Sequence, residues 1–310
     1  MAIYEHATTF AGKPVVDWEP GSDLADPRTT IPRISLPYDA GEVWGQRFAA
    51  FLQTPGAEEI PGLVVGTWDA SGASEDTAEA VVEVLVASSN RLLNLRAIFL
   101  GDIISEESEI SWIQQTDVSP LFAAYPNLEH FRVRGGNGLS LGRPRLAHLA
   151  SLVVESGGLP ASVVREVGAA DLPALTHLEL WLGEEDYGGN ASIDDLSPIF
   201  RGDRFPQLSY LGLRDSDRAD EIAVAVAQAP VLERIRILDL SLGTLTDTGA
   251  AALLSSPAVR RLQRLDIHHH FCTPSAVRQI EELGIEVDAS DPQEPYESDG
   301  EMHRYVAVGE

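Results

Sequence analysis

The apolar positions of this chain fall into one short phrase, leucine-x-x-leucine-x-leucine, that recurs seven times. The clearest copies are Leu175-x-x-Leu178-x-Leu180, Leu208-x-x-Leu211-x-Leu213, Ile235-x-x-Leu238-x-Leu240 and Leu262-x-x-Leu265-x-Ile267. Looser copies precede them at Leu95-x-x-Ile98-x-Leu100, Leu128-x-x-Phe131-x-Val133 and Leu149-x-x-Leu152-x-Val154. The closing alternation of each phrase is the period of a strand with one buried face. Between phrases the pattern turns helical. Residues 219–229 are rich in alanine and valine and stop at Pro230. Residues 245–254 open with the threonine and aspartate of a helix start and continue into strong helix formers.

From one middle apolar residue to the next, the steps are 33, 21, 26, 33, 27 and 27 residues. A strand and a returning helix every 20–29 residues or so is the leucine-rich repeat. The predicted fold is therefore an α/β leucine-rich-repeat solenoid, a curved horseshoe with parallel strands on the concave face and helices outside. The two 33-residue steps require insertions, at residues 105–113 and 184–190, both just after a strand, where binding loops commonly sit. The solenoid is expected to span residues 60–288. Residues 1–59 read as a mixed α/β cap with strands at 14–18 and 34–36. A helix follows there, with Val43, Trp44, Phe48, Phe51 and Leu52 on one face and Asp39 as its N-cap. Leu63, Val64 and Val65 open the repeat pattern, followed by a helix from about Glu75 to Ala87. Residues 275–283 read as the last helix and 285–288 as a short strand. Residues 289–310 form an acidic tail: a solvated loop over 291–300, then an edge strand or strap at 304–308 laid across the last repeat.

Composition narrows the function classes. The formal net charge of −26 argues against nucleic acid or anionic lipid as partner, because phosphate contacts need a basic face. Lys13 is the only lysine, a bias expected of a GC-rich genome. Cys272 is the only cysteine, so no intramolecular disulfide framework exists. The start of the chain lacks the basic and apolar regions of a secretory signal, and no run of eighteen apolar residues reads as a membrane span. The expected location is the cytoplasm.

Several longer phrases carry a family resemblance: Phe99-Leu100-Gly101-Asp102-Ile103, Glu109-Ile110-Ser111-Trp112-Ile113-Gln114 and Leu178-Glu179-Leu180-Trp181-Leu182-Gly183. Residues 240–247, His268-His269-His270-Phe271 and Arg304-Tyr305-Val306-Ala307-Val308 add to it. Together they resemble a family of bacterial cytoplasmic leucine-rich-repeat proteins known by a locus tag. The resemblance spans nearly the whole chain. It implies the repeat fold and carries over no catalytic or ligand residues.

With the leucines turned inward, the residues between them line the concave wall. That row reads Phe99, Arg132, Arg134, Val153, Glu155, His177, Glu179, Trp181, Tyr210, Arg214, Asp239, Arg264, Asp266 and His268. Aromatics beside arginines and carboxylates have the composition of a protein-binding hot spot. The expected function is a noncatalytic module that holds a protein or peptide without a cofactor. Its expected contacts are Arg132, Arg134, Glu179, Trp181, Tyr210, Arg214, Asp239, Asp266 and His268, the arginines forking onto carboxylates and Trp181 and Tyr210 acting as rigid anchors. The alternative is a metal-dependent enzyme. On a regular strand Asp266, His268 and His270 would share one face, and imidazole with carboxylate suits zinc or iron. A regulator of a nucleotide-hydrolysing partner is a third reading, on fold analogy alone. Cys272 reads as a buried structural thiol. The glycine pairs at 135–136 and 157–158 read as turns, since neither has phosphate-loop or dinucleotide spacing. Glu184, Glu185 and Asp186 do not fit a calcium loop.

Overall fold

The computed structural model describes residues 3–24, 26–71, 76–298 and 300–309. Twelve strands pair strictly in chain order. β1 (Thr9–Phe10) turns back antiparallel onto β2 (Lys13–Asp17), and every later pairing within this sheet is parallel. These are β3 (Ile31–Ile34), β4 (Gly62–Val65), β5 (Ala97–Leu100), β6 (His130–Arg134), β7 (Ser151–Glu155) and β8 (His177–Gly183). β9 (Tyr210–Ser216), β10 (Ile237–Asp239), β11 (Arg264–Asp266) and β12 (Glu286–Asp288) complete the sheet. Returning segments carry α1 (Trp44–Phe51), α2 (Glu79–Ala87), α3 (Ser119–Ala124) and α4 (Ala161–Gly168). They continue with α5 (Ile193–Phe200), α6 (Ala219–Val226), α7 (Asp247–Ser255) and α8 (Pro274–Glu281). Successive units stack strand on strand and helix on helix, which makes this a leucine-rich-repeat solenoid.

The phrase leucines set the register. Leu152, Leu178, Leu211, Leu238 and Leu265 lie directly opposite one another across five strands, all buried against the helices. The helices are spaced by caps that bridge repeats. Asp220, in the first turn of α6, accepts the amides of Thr246 at 2.8 Å and Gly249 at 2.9 Å in the next unit. Asp247 of α7 does the same for Thr273 at 2.7 Å. Each carboxylate thus meets the unpaired amides and positive end of the following helix.

The ends differ from expectation. β2 and β3 extend the main sheet, and β3 begins at Ile31, ahead of the expected position, because Ile31 and Ile34 are both buried there. Asp39 does not cap α1: it sits in the left-handed region at φ +57°, and Val43 occupies the cap position. Met1, Ala2 and Glu75, the expected start of the second helix, lie outside the described residues; α2 itself begins at Glu79. Part of the loop expected over 291–300 folds into a hairpin, β13 (Tyr296–Ser298) on β14 (Glu301–His303), with Asp299 outside the described residues. Residues 305–309 then run back over several strand ends, well beyond the last repeat. No helix among the described residues is long and apolar enough to cross a membrane.

Candidate functional site

The inner wall carries one row of side chains in exact cross-strand register: Phe99, Arg132, Val153, Glu179, Gly212, Asp239, Asp266 and Asp288. Two residues earlier on each strand runs a parallel row of His130, Ser151, His177, Tyr210, Ile237 and Arg264. The wall is organised as charge clusters. Glu155 is fully buried and binds two arginines, pairing with Arg132 and accepting Arg134 Nε at 2.7 Å. Both guanidinia lie over the Phe99 ring, at 4.5 and 5.3 Å. Burial opposes ionisation of Glu155, but the two guanidinia outweigh it and hold its carboxyl below the ordinary range.

Glu179 organises the second cluster. It accepts Trp181 Nε1 at 2.6 Å and Arg214 Nη1 at 2.7 Å, and lies 3.3 Å from His177 Nε2. Tyr210 donates its hydroxyl to Asp239 at 2.7 Å. Burial disfavours the charged form of Glu179. The contacts from His177, Arg214 and Trp181 prevail and leave it well below the usual carboxylate range. In the third cluster Arg264 Nη2 bridges Asp266 at 2.8 Å and Asp288 at 3.2 Å, while His268 Nδ1 meets Asp266 at 2.7 Å. The hydrogen bond to Asp266 raises the His268 imidazole above its ordinary value, against the effect of burial.

The N-terminal segment covers one end of the wall. Phe10 packs with Ile31, Val64, Ala97 and Phe99 in a small second core on the inner face. Ala7 donates its amide to the Asp102 carboxylate, which also takes Arg33 Nη1 at 2.9 Å. From β6 to β11 the row of His130, Ser151, His177, Tyr210, Ile237 and Arg264 stays half-exposed.

A crystal structure of a protein from Bacteroides fragilis is similar to this chain at 31% identity, covering 84% of this chain and 74% of that one, with a TM-score of 0.78. This chain belongs to that protein's family. Weaker likenesses are an internalin from Listeria monocytogenes (15% identity, 77% of this chain and 56% of that one, TM-score 0.40) and a leucine-rich-repeat protein from Leptospira interrogans (12%, 77% and 86%, TM-score 0.20). The sequence matches no protein-family model and no curated protein.

Against this geometry the predicted contacts divide in two. Arg132, Tyr210, Arg214 and His268 are half-exposed on the wall. Arg134, Glu179, Trp181, Asp239 and Asp266 are buried, Trp181 to 7% exposure beneath Arg214, whose guanidinium carbon stands 5.2 Å above its ring. Trp181 is therefore a support and not the projecting anchor expected of it. The metal triad also changes membership. His269 takes φ +56°, which ends the strand alternation and turns His270 inward. There His270 is fully buried, with Nε2 3.1 Å from the Ala289 carbonyl and Nδ1 accepting the Cys272 amide. Asp288 from the next strand replaces it: ligand atoms of Asp266, His268 and Asp288 lie within 4.8 Å of one another. Arg264 already bridges the two carboxylates, so their charge is met by the protein itself. Cys272 is buried and its thiol is pushed up to about 12, chiefly by burial.

Reading the alternation missed His130, Ser151 and Ile237, the residues just ahead of each chosen row, although the same two-residue period would have placed them. It also missed an outer cleft of about 710 Å³ between α1 and α2, floored by Trp44 and Trp68 and edged by Glu42, Asp76 and Glu79.

Proposed function

We propose that this chain is a noncatalytic recognition module that holds a protein or peptide partner against the inner wall between β6 and β11. The observation that carries the reading is the half-exposed row of His130, Ser151, His177, Tyr210, Ile237 and Arg264, which presents one side chain per repeat above the charge clusters. The residues beneath, Arg134, Glu155, Glu179 and Trp181, are fixed by hydrogen bonds and packing, so the row above them loses little freedom when a partner arrives. Mixed aromatic, arginine and histidine chemistry over a rigid support is that of protein interfaces. Arg132, Tyr210, Arg214 and His268 are the residues that would touch a partner, with His177 and Arg264 beside them.

The test adds bulk to the open wall without breaking the clusters. Partner recovery from native lysate is compared for the unmodified chain, Ser151→Arg, Val153→Trp and, on the outer face of α6, Val224→Arg. Both inner-wall variants are expected to lose a partner that Val224→Arg retains. Equal recovery by all four proteins would reject the inner wall as the contact surface.

A further inference from the structure

The strand ends on one rim of the sheet hold an extended peptide, and that peptide is the chain's own C-terminal segment. Three residues past the row of Gly212, Asp239 and Asp266 stand Asp215, Leu242 and His269. All three take left-handed backbone, at φ +55°, +67° and +56°, although none is glycine. Gly135 and Asp291, at the same position past Arg132 and Asp288, share this backbone, so it is the turn that ends each of these strands, and it sets Asp215, Leu242 and His269 along the rim. Each of the three contacts the tail. His269 Nε2 lies 3.3 Å from the Tyr305 carbonyl, the Leu242 carbonyl accepts the Ala307 amide at 2.7 Å, and Asp215 Oδ1 accepts the Val308 amide at 2.9 Å.

Two further repeats complete the track. Glu184, in the insertion after β8, accepts the Val306 amide at 3.1 Å. Gly157, after β7, admits the tail backbone: a Cβ there would stand 2.3 Å from the Gly309 carbonyl oxygen. The side chains of Val306, Ala307 and Val308 are buried. One carbonyl and two carboxylates take the tail's amides while its small aliphatic side chains are buried, so backbone and side chains are both recognised, as in extended-peptide binding. The occupant fits imperfectly. Asp215 Oδ2 is buried and has no hydrogen-bond partner. The tail also joins the solenoid through a stretch, 294–298, whose residues are mostly exposed.

We propose that this rim, from β7 to β11, is a peptide-recognition groove filled at rest by residues 305–309, which yield it to an extended aliphatic–small–aliphatic segment of a partner protein. A ligand that also hydrogen-bonds Asp215 Oδ2 would displace the tail. This groove is separate from the half-exposed row of the inner wall, and the two stand or fall independently.

Two measurements on the full chain test it. The first is hydrogen exchange of the unmodified protein. The Ala307 and Val308 amides are expected to exchange about 100-fold faster than those of β8 and β9, as for a segment that opens locally. Exchange at the same rate as β9 would make the tail a fixed cap and overturn the proposal. The second uses a labelled peptide of residues 304–309 with Ala307→Pro protein, in which the amide given to Leu242 is removed. The peptide is expected to bind this variant at least about tenfold more tightly than the unmodified chain, whose groove is already filled. No binding by a variant with unchanged circular dichroism would overturn it. A concentration-dependent dimer of the unmodified chain, with tail amides still protected, would assign the groove to a second copy and overturn the partner assignment. If Ala307→Pro does not fold, the exchange measurement decides alone.

Discussion

The ring of Tyr210 lies flat on the imidazole of His177, centroids 3.9 Å apart and planes 9° from parallel, and it reaches across the sheet because residue 212 is glycine. A Cβ at Gly212 would stand 3.1 Å from the Tyr210 ring and hydroxyl and 3.2 Å from Glu179 Cγ. Gly212→Ala is therefore expected to push the ring off Asp239 and destabilise the fold by about 1–3 kcal/mol, the range for overpacking. Tyr210→Phe keeps the stack but leaves a buried carboxylate short of a donor, at a cost of about 1–3 kcal/mol. Urea denaturation of both variants checks this; unchanged midpoints would show that the stack and its hydrogen bond do not matter to stability.

Glu155 holds two arginines in a buried site. Glu155→Ala leaves both guanidinia without their carboxylate and is expected to cost about 3–5 kcal/mol. Replacing Arg132, Arg134 and Glu155 together by apolar residues of similar volume should recover most of that loss. A triple variant as unstable as Glu155→Ala would place the loss in packing and not in unpaired charge.

Two opposing pH effects follow. Glu155 and Glu179 have depressed values, so the stability they contribute is complete above the ordinary glutamate value of 4.5 and is lost as pH falls through their lower folded values. Denaturant midpoints should fall in acid, and less so in Glu179→Gln than in the unmodified chain.

Asp215 is the reverse case. Burial raises its carboxyl well above 3.8, Glu184 across the tail adds to the rise, and the Val308 amide and Arg214 only partly oppose it. Its contribution is complete below 3.8 and fades as pH rises through the folded value. Asp215→Asn, which mimics the neutral form, should keep the tail amides protected as pH is raised through the folded value of Asp215, where the unmodified chain loses protection. Identical pH profiles would remove Asp215 from the latch.

Cys272 is expected to resist alkylation near neutral pH, because burial keeps the thiol protonated. Its reaction with a thiol reagent should follow global unfolding in urea. Prompt reaction of the folded chain would show that the last repeat opens on its own.

The leucine phrases made β5 to β11 legible because each buries one face at a strict two-residue period, and the same period correctly turned Arg132, Glu179 and Asp239 toward the inner wall. It said nothing about depth. Trp181 and Arg134 are buried by partners on other strands and by distant segments, and such contacts leave no local mark in the sequence. Local alternation also fails where the backbone turns left-handed, which is why His270 was grouped with His268 when Asp288 is the true neighbour. β3 is not legible because its apolar positions, Ile31 and Ile34, flank a proline and an arginine and show no phrase.

The most direct test of the central claim is site-specific photocrosslinking with a benzophenone side chain at Val153, on the open inner wall, and at Val224, on the outer face of α6. A crosslinked protein or peptide partner is expected from Val153 and none from Val224. A copurifying partner captured from Val224 alone would contradict it.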